Sequence, residues 1–297
     1  MEASNPRFPE FRRLLPATLR ESLEDATKYL QRKRINRARL EAEWIAAHVL
    51  SIQRLNLYLH LEHPVQETQL TTLHTLIQRR GAHEPLAYVL GDTPFDTLNL
   101  KVDTRALIPR PETETLVELL VHKCPCPSRP LHILDLGTGC GAIALALAAR
   151  FPNAQVTAVD ISPDALALAQ ENTHTYRLHK RVAFRESNWF SKVTGRFDWI
   201  VANPPYLSKA EWQEAEPEVR EYEPRSALVA EQEGTAALRH IIQKAPAYLN
   251  AQGLLALETG IGHHHLLERI ASETGYTHSS SQQDFSGRDR YFFTWLP

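Results

Sequence analysis

With 297 residues, 43% of them hydrophobic and 23% charged, and a formal net charge of −2, the chain is long enough for two domains or for one large domain with an appendage. That charge balance excludes a protein that coats nucleic-acid phosphates with surplus Lys and Arg. Three cysteines (Cys124, Cys126 and Cys140) are too few for a disulfide framework, and no apolar run approaches the roughly 20 residues that span a bilayer.

Odd cysteine usage points to a reducing compartment. The first 20 residues carry Arg7, Arg12, Arg13 and Arg20 but lack the uninterrupted apolar core of a secretory signal. The expected location is therefore the cytoplasm, with an organelle presequence left open.

From about residue 10 to 85 the apolar pattern is helical. Leu40, Trp44 and Ala47 recur at one face of a helix, for which Asn36 is the expected N-cap, and Leu70, Leu73 and Ile77 share a face of another. Between Leu86 and Ile108 the rhythm changes: Leu98, Leu100 and Val102 alternate, and Gly91-Asp92 and Pro94 punctuate the run, so a β-hairpin linker is predicted over 86–110. Residues 111–297 form the main domain. Pro111 opens a helix through Val121.

Beyond it, apolar runs at Leu131–Leu136, Gln155–Asp160, Val182–Glu186, Phe197–Ala202, Gly253–Thr259 and Tyr291–Leu296 read as strands. Helices fit at Ala142–Phe151, Pro163–Thr173, Thr235–Leu249 and Gly262–Thr274. Continuous apolar strands alternating with helices predict an α/β fold with a doubly wound parallel sheet covered on both faces. Ligands in such sheets bind at the carboxyl ends of the strands.

The strand at Leu131–Leu136 runs into Gly137-Thr138-Gly139-Cys140-Gly141 and then a helix. Glycines at alternate positions let backbone approach a ligand, but the spacing differs from the dinucleotide fingerprint. The next strand ends at Asp160, placed to accept from both hydroxyls of a ribose. The pattern fits a nucleoside with an amino-acid tail better than one with a pyrophosphate. Ser187-Asn188-Trp189-Phe190 closes a later strand; Trp189 could lie on an adenine face and Asn188 bond its edge, or the pair could be an N-cap and a core indole.

Asn203-Pro204-Pro205-Tyr206 ends the strand at Phe197–Ala202. An amide nitrogen is a poor nucleophile because its lone pair is delocalised, and its NH₂ form offers two donors. The Asn203 side-chain carbonyl and the Pro204 backbone carbonyl can accept those two donors. The two prolines fix the local φ, so the Pro204 carbonyl is aimed in advance. Tyr206 gives an aromatic wall. The two acceptors would also stabilise positive charge developing on the nitrogen. The tetrapeptide also serves methyltransferases that act on base amines, so by itself it leaves the nitrogen open.

Glycine loop, Asp135 and Asp160 together resemble the class I S-adenosylmethionine-dependent methyltransferases, which implies a seven-stranded sheet with a final antiparallel hairpin that includes Tyr291–Leu296. The wider set is similar to the HemK/PrmC family of protein glutamine methyltransferases. It comprises Glu84–Gly91 with Phe95, Ile108–Glu114, Asp135–Ile143, Asn203–Tyr206, Tyr222-Glu223-Pro224 with Ala227-Leu228, Glu258 with Gly260, and Gly287 with Asp289-Arg290. That resemblance implies methyl transfer to the glutamine of the Gly-Gly-Gln loop of a peptide chain release factor.

By position, Gly137, Thr138, Gly139, Cys140, Gly141, Asp160, Asn188, Trp189 and Asn203 would bind S-adenosylmethionine. Asn203, Pro204, Pro205 and Tyr206 would bind the glutamine, with Asn203, Pro204 and Tyr206 catalytic. Residues 1–85 would help recognise the factor, with no direct nucleic acid, membrane or metal expected. The sister group that modifies a ribosomal protein has Pro-Arg-Ser where this chain has Ile108–Glu112. A base-amine methyltransferase and a non-catalytic cofactor-binding scaffold are the rivals. The chain departs from the family at Asn188 (usually Asp), at Ala230-Glu231 (a glycine pair) and at His263 (Gln).

Three further signals are read as structural. Cys124-Pro125-Cys126 lacks a second ligand pair. His263-His264-His265 point in different directions on a helix. Arg32-Lys33-Arg34 with Arg37 and Arg39 reads as a solvated face.

Overall fold

In the computed structural model, which describes residues 18–124 and 126–297, helix α1 (Leu19–Arg32) starts on a capping box. The Thr18 hydroxyl accepts from the Glu21 N–H and the Glu21 carboxylate accepts from the Thr18 N–H, so two of the orphan donors at the helix start are satisfied. The expectations for Arg7, Arg12, Arg13, Pro125 and the helical pattern before residue 18 lie outside the described residues. The chain divides into two compact units, one ending at Gly91 and the other Asp92–Pro297.

In the first unit α1, α2 (Ala38–Leu50), α3 (Glu67–Gly81) and the short α4 (Leu86–Leu90) enclose a core that includes Leu23, Leu30, Ile45, Leu73 and Ile77. The α3 stripe of Leu70, Leu73 and Ile77 is buried as expected. The α2 stripe holds at Ala47, which is buried, but not at Trp44, which is 45% exposed; Ala38, Ala42, Ile45 and Ala46 face inward with Ala47. Small side chains let the helix pack closely, while the Arg54 guanidinium lies 5.6 Å from the Trp44 ring. Arg37 rather than Asn36 is the N-cap residue, and it makes no side-chain cap bond.

The expected hairpin start at Leu86 gives way to α4, because Leu86, Val89 and Leu90 are helically spaced and pack on this core. Gly91 ends that helix at φ +85°. The hairpin proper, β1 (Asp92–Phe95) with β2 (Leu98–Lys101), belongs to the second unit.

There, α5 (Pro111–Lys123) precedes β3 (His132–Leu136), α6 (Ala142–Arg150), β4 (Gln155–Asp160), α7 (Pro163–Thr175), β5 (Val182–Glu186) and β6 (Phe197–Ala202). Then come α8 (Lys209–Glu214), α9 (Pro217–Tyr222), α10 (Ala236–Lys244), β7 (Leu249–Glu258), α11 (His264–Thr274), β8 (His278–Gln283) and β9 (Asp289–Trp295). The sheet has seven strands in the order β5-β4-β3-β6-β7-β9-β8. The first five strands in that order are parallel, and β9 pairs antiparallel with both β7 and β8.

The chain leaves β3 to one side and returns to its other side at β6, so the switch point lies at the carboxyl end of β3. Register then decides what meets there. Leu136 pairs with Ala202, Ala202 with Leu257, Leu136 with Val159, and Asp160 with Glu186. The next residues along these strands are Gly137, Asn203, Glu258, Asp160 and Ser187, all at one edge. Ile133, Leu134, Ile200, Leu255 and Phe292 are fully buried beneath that edge and hold it rigid.

Candidate active site

Each strand end carries its side chain to this edge for a local reason. At the end of β3, Asp135 is fully buried; its Oδ2 accepts the Thr138 hydroxyl at 2.6 Å and the Ala144 N–H at 3.1 Å. Ala144 is in the first turn of α6, so Asp135 both closes the glycine loop and satisfies a helix-start donor. Its other oxygen has no partner among the described residues, and burial pushes its pKa up to about 7.

Gly137 and Gly139 sit at φ +72° and +56°, a region costly for other residues, and their backbones face a partly open cavity of about 300 Å³. Thr138, Cys140 and Gly141 do not line it. Thr138 is turned to Asp135, Cys140 is buried with its thiol pKa pushed up to about 12 by burial, and the Cys140 carbonyl accepts from the Asn172 amide at 2.9 Å. These three support the loop from behind.

Asp160 lines the same cavity. Its Oδ2 accepts the Gly139 N–H and its Oδ1 the Ser162 N–H, both at 2.9 Å, which leaves each oxygen a further lone pair. Trp189, at φ +49°, turns its indole toward Gly137: a Cβ built on Gly137 would lie 3.6 Å from the ring. Asn188 lines the cavity too, from an exposed position. A diol acceptor, an aromatic face and bare backbone on one cavity wall are the groups a nucleoside carrying an amino-acid tail requires.

A second cavity of about 230 Å³ adjoins the first. Leu107, Asn203, Pro205 and Ala227 line both, so the Asn203–Tyr206 loop stands where the two meet. Tyr206 and Val219 line only the second. Pro204, expected beside them, lines neither cavity. The Asn203 Nδ2 donates to the Thr113 hydroxyl at 3.0 Å, and the Tyr206 hydroxyl donates to the Glu258 carboxylate at 3.2 Å. The Arg290 guanidinium lies 5.7 Å from the Tyr206 ring. Burial raises the pKa of both Tyr206 and Glu258.

Residue typing alone overlooked two parts of this wall. Segment 103–107 is clamped by Arg105, which pairs with Asp103 and Glu171 at 2.7 Å each. The Glu223 side chain, almost fully buried, accepts from the Arg110 guanidinium and the Ile108 N–H, tying the chain before α5 to the end of α9. Both segments carry motif residues, Ile108–Arg110 and Tyr222–Pro224, but their pairing across 115 positions could not be read from spacing.

His263, one of the departures, is next to Gly260, and burial lowers its pKa. Ala230 and Glu231 line an open groove that shares Asn188, Trp189 and Pro205 with the first cavity. Among the described residues no His, Cys, Asp and Glu cluster could hold a metal ion, and no helix is long and apolar enough to cross a membrane.

Residues 21–91 match the PrmC N-terminal domain and residues 111–217 the methyltransferase small domain. The release factor glutamine methyltransferase of Geobacter sulfurreducens is 40% identical over 92% of this chain and 95% of its own. The chain belongs to that family. The Vibrio cholerae release factor glutamine methyltransferase is 39% identical over 93% of this chain and 96% of its own. Membership makes S-adenosylmethionine the cofactor of this methyltransferase, and the groups around the first cavity fit it. The solved hMettl16 catalytic domain, in complex with MAT2A 3′UTR hairpin 6, shares the fold at a TM-score of 0.54. It is 14% identical and covers 78% of this chain and 82% of that one.

Proposed function

We propose that this family member methylates the side-chain amide of the glutamine in the Gly-Gly-Gln loop of a peptide chain release factor, acting in the cytoplasm. The observation that carries the proposal is the meeting of the two cavities at Asn203 and Pro205. One cavity has the groups that suit the cofactor, and the other is a largely apolar space of about 230 Å³.

Gly137, Gly139, Asp160 and Trp189 hold S-adenosylmethionine, with Thr138, Cys140 and Gly141 shaping the loop and Asn188 at the rim. Bound there, the cofactor supplies an electrophilic methyl carbon. The protein's own part is placement: the Asn203 Oδ1 and the Pro204 carbonyl each accept one N–H of the acceptor amide, so its nitrogen faces the first cavity. Pro205 and Tyr206 confine its plane, and the two oxygens stabilise positive charge as it grows on the nitrogen. The helical unit, which matches the PrmC N-terminal domain, takes part in holding the rest of the release factor.

The test is label transfer from S-adenosylmethionine to a release factor in native and glutamine-substituted forms. Label on the native factor alone supports the assignment. Label on the substituted factor, or on nucleic acid only, overturns it.

A further inference from the structure

Asn203 has two ways to point, and only one of them suits the acceptor. With Nδ2 turned away it shows the substrate a carbonyl, which accepts from an amide NH₂. Flipped, it shows an NH₂ group, which repels an amide donor and welcomes a carboxylate. The choice has to be made by whatever touches the far side of the side chain.

That contact is Thr113, in the first turn of α5 and 4% exposed. A hydroxyl has a single proton, and here it is committed: Thr113 Oγ1 donates to Glu258 Oε2 at 2.7 Å. Its lone pair can therefore only accept, and it accepts from Asn203 Nδ2 at 3.0 Å. Glu258 is 1% exposed at the carboxyl end of β7, beside Asn203 in register, and its second oxygen takes the Tyr206 hydroxyl. One buried carboxylate thus fixes both ends of the tetrapeptide. Among the described residues Asn203 Oδ1 has no donor.

We propose that Thr113 and Glu258 are positioning residues that set the polarity of Asn203 and so make the site selective for a glutamine amide over a glutamate carboxylate. The proposal rests on the glutamine reading above for its substrate, but its structural half does not.

Two measurements on the full chain test it. The first needs no acceptor: the side-chain amide resonances of Asn203, assigned by their loss in Asn203→Ala, are followed in Thr113→Val and Thr113→Ser. They are expected to shift and exchange faster in the valine variant, and to stay near wild type in the serine variant. The second compares the affinities for native release factor and for its Gln→Glu form. Thr113→Val should narrow that preference about tenfold and lower kcat by about 10- to 100-fold, with S-adenosylmethionine affinity within about twofold, as for other residues that orient a ligand-contacting side chain. Thr113→Ser should restore both.

Unchanged Asn203 resonances in Thr113→Val overturn the relay. So does a valine variant that binds both factors more weakly by the same factor, because general loosening does not discriminate amide from carboxylate. If wild type labels no glutamine, it is the acceptor assignment that fails, and the resonances alone decide the relay.

Discussion

Gly234 lies behind the tetrapeptide, and adding one methyl group there tests how much the chemistry depends on its placement. A Cβ at Gly234 would sit 2.1 Å from the Tyr206 carbonyl oxygen and 2.9 Å from its carbon. Real contacts of that kind do not fall below 3.0 Å, so the backbone must separate by about 0.9 Å. Neither partner is the flexible end of a side chain. The position is also at φ +81°, where an L-residue costs roughly 1–2 kcal/mol. We expect Gly234→Ala to lower stability by about 2–4 kcal/mol through the combined strain, measured as a urea midpoint.

Displacement of that size at a reacting group costs about 100-fold in rate. Cofactor affinity, determined by the glycine loop and Asp160 rather than by Tyr206, should stay within about threefold. The assay is label transfer at saturating cofactor, with calorimetric binding alongside. A Gly234→Ala enzyme with wild-type kcat would refute the claim that the loop must stand where it does.

Other substitutions separate the two cavities. Asn203→Ala should abolish transfer and largely spare cofactor binding; comparable loss of both would mean Asn203 belongs to the cofactor. Asp160→Ala should do the reverse, weakening S-adenosylmethionine by roughly 100-fold through two lost charge-assisted bonds, as titration calorimetry will show. A change under about threefold would remove Asp160 from the site.

Asp135 gives a pH signature. Its carboxyl holds a proton in the folded chain up to about 7, against 3.8 ordinarily, so folding takes up a proton between those values. Stability from this group is therefore greatest at the acid end, declines as pH rises through the window and is level above it. The whole effect is on the order of 4 kcal/mol at most. Urea midpoints of Asp135→Asn should lack this decline; a parallel decline in both proteins would assign it elsewhere.

Much of the second unit was legible because buried parallel strands are written as apolar runs. Gln155–Asp160, Val182–Glu186 and Phe197–Ala202 appear at the expected residues. β8 did not announce itself: His278–Gln283 is polar, and its strand form comes from pairing with β9 at the sheet edge rather than from its own pattern. α8 and α9 are six residues each, too short for a helical period to show. Trp44 misled because the helix chose its small-residue face. At the site, the glycine loop, Asp160, Trp189 and Asn203–Tyr206 were visible as types at strand ends, and the register of β3, β4, β5 and β6 explains why they meet. Thr113 and Glu258 were motif letters without a role, since only the fold brings positions 145 apart into one hydrogen bond.

The central claim is that the methyl group goes to one nitrogen. Mass spectrometry of a release factor after incubation with this protein and S-adenosylmethionine tests it directly. A single added methyl on the side chain of the Gly-Gly-Gln glutamine, absent from the Asn203→Ala reaction, is the predicted result. Methyl on any other residue, or on the same glutamine with Asn203→Ala, would contradict it.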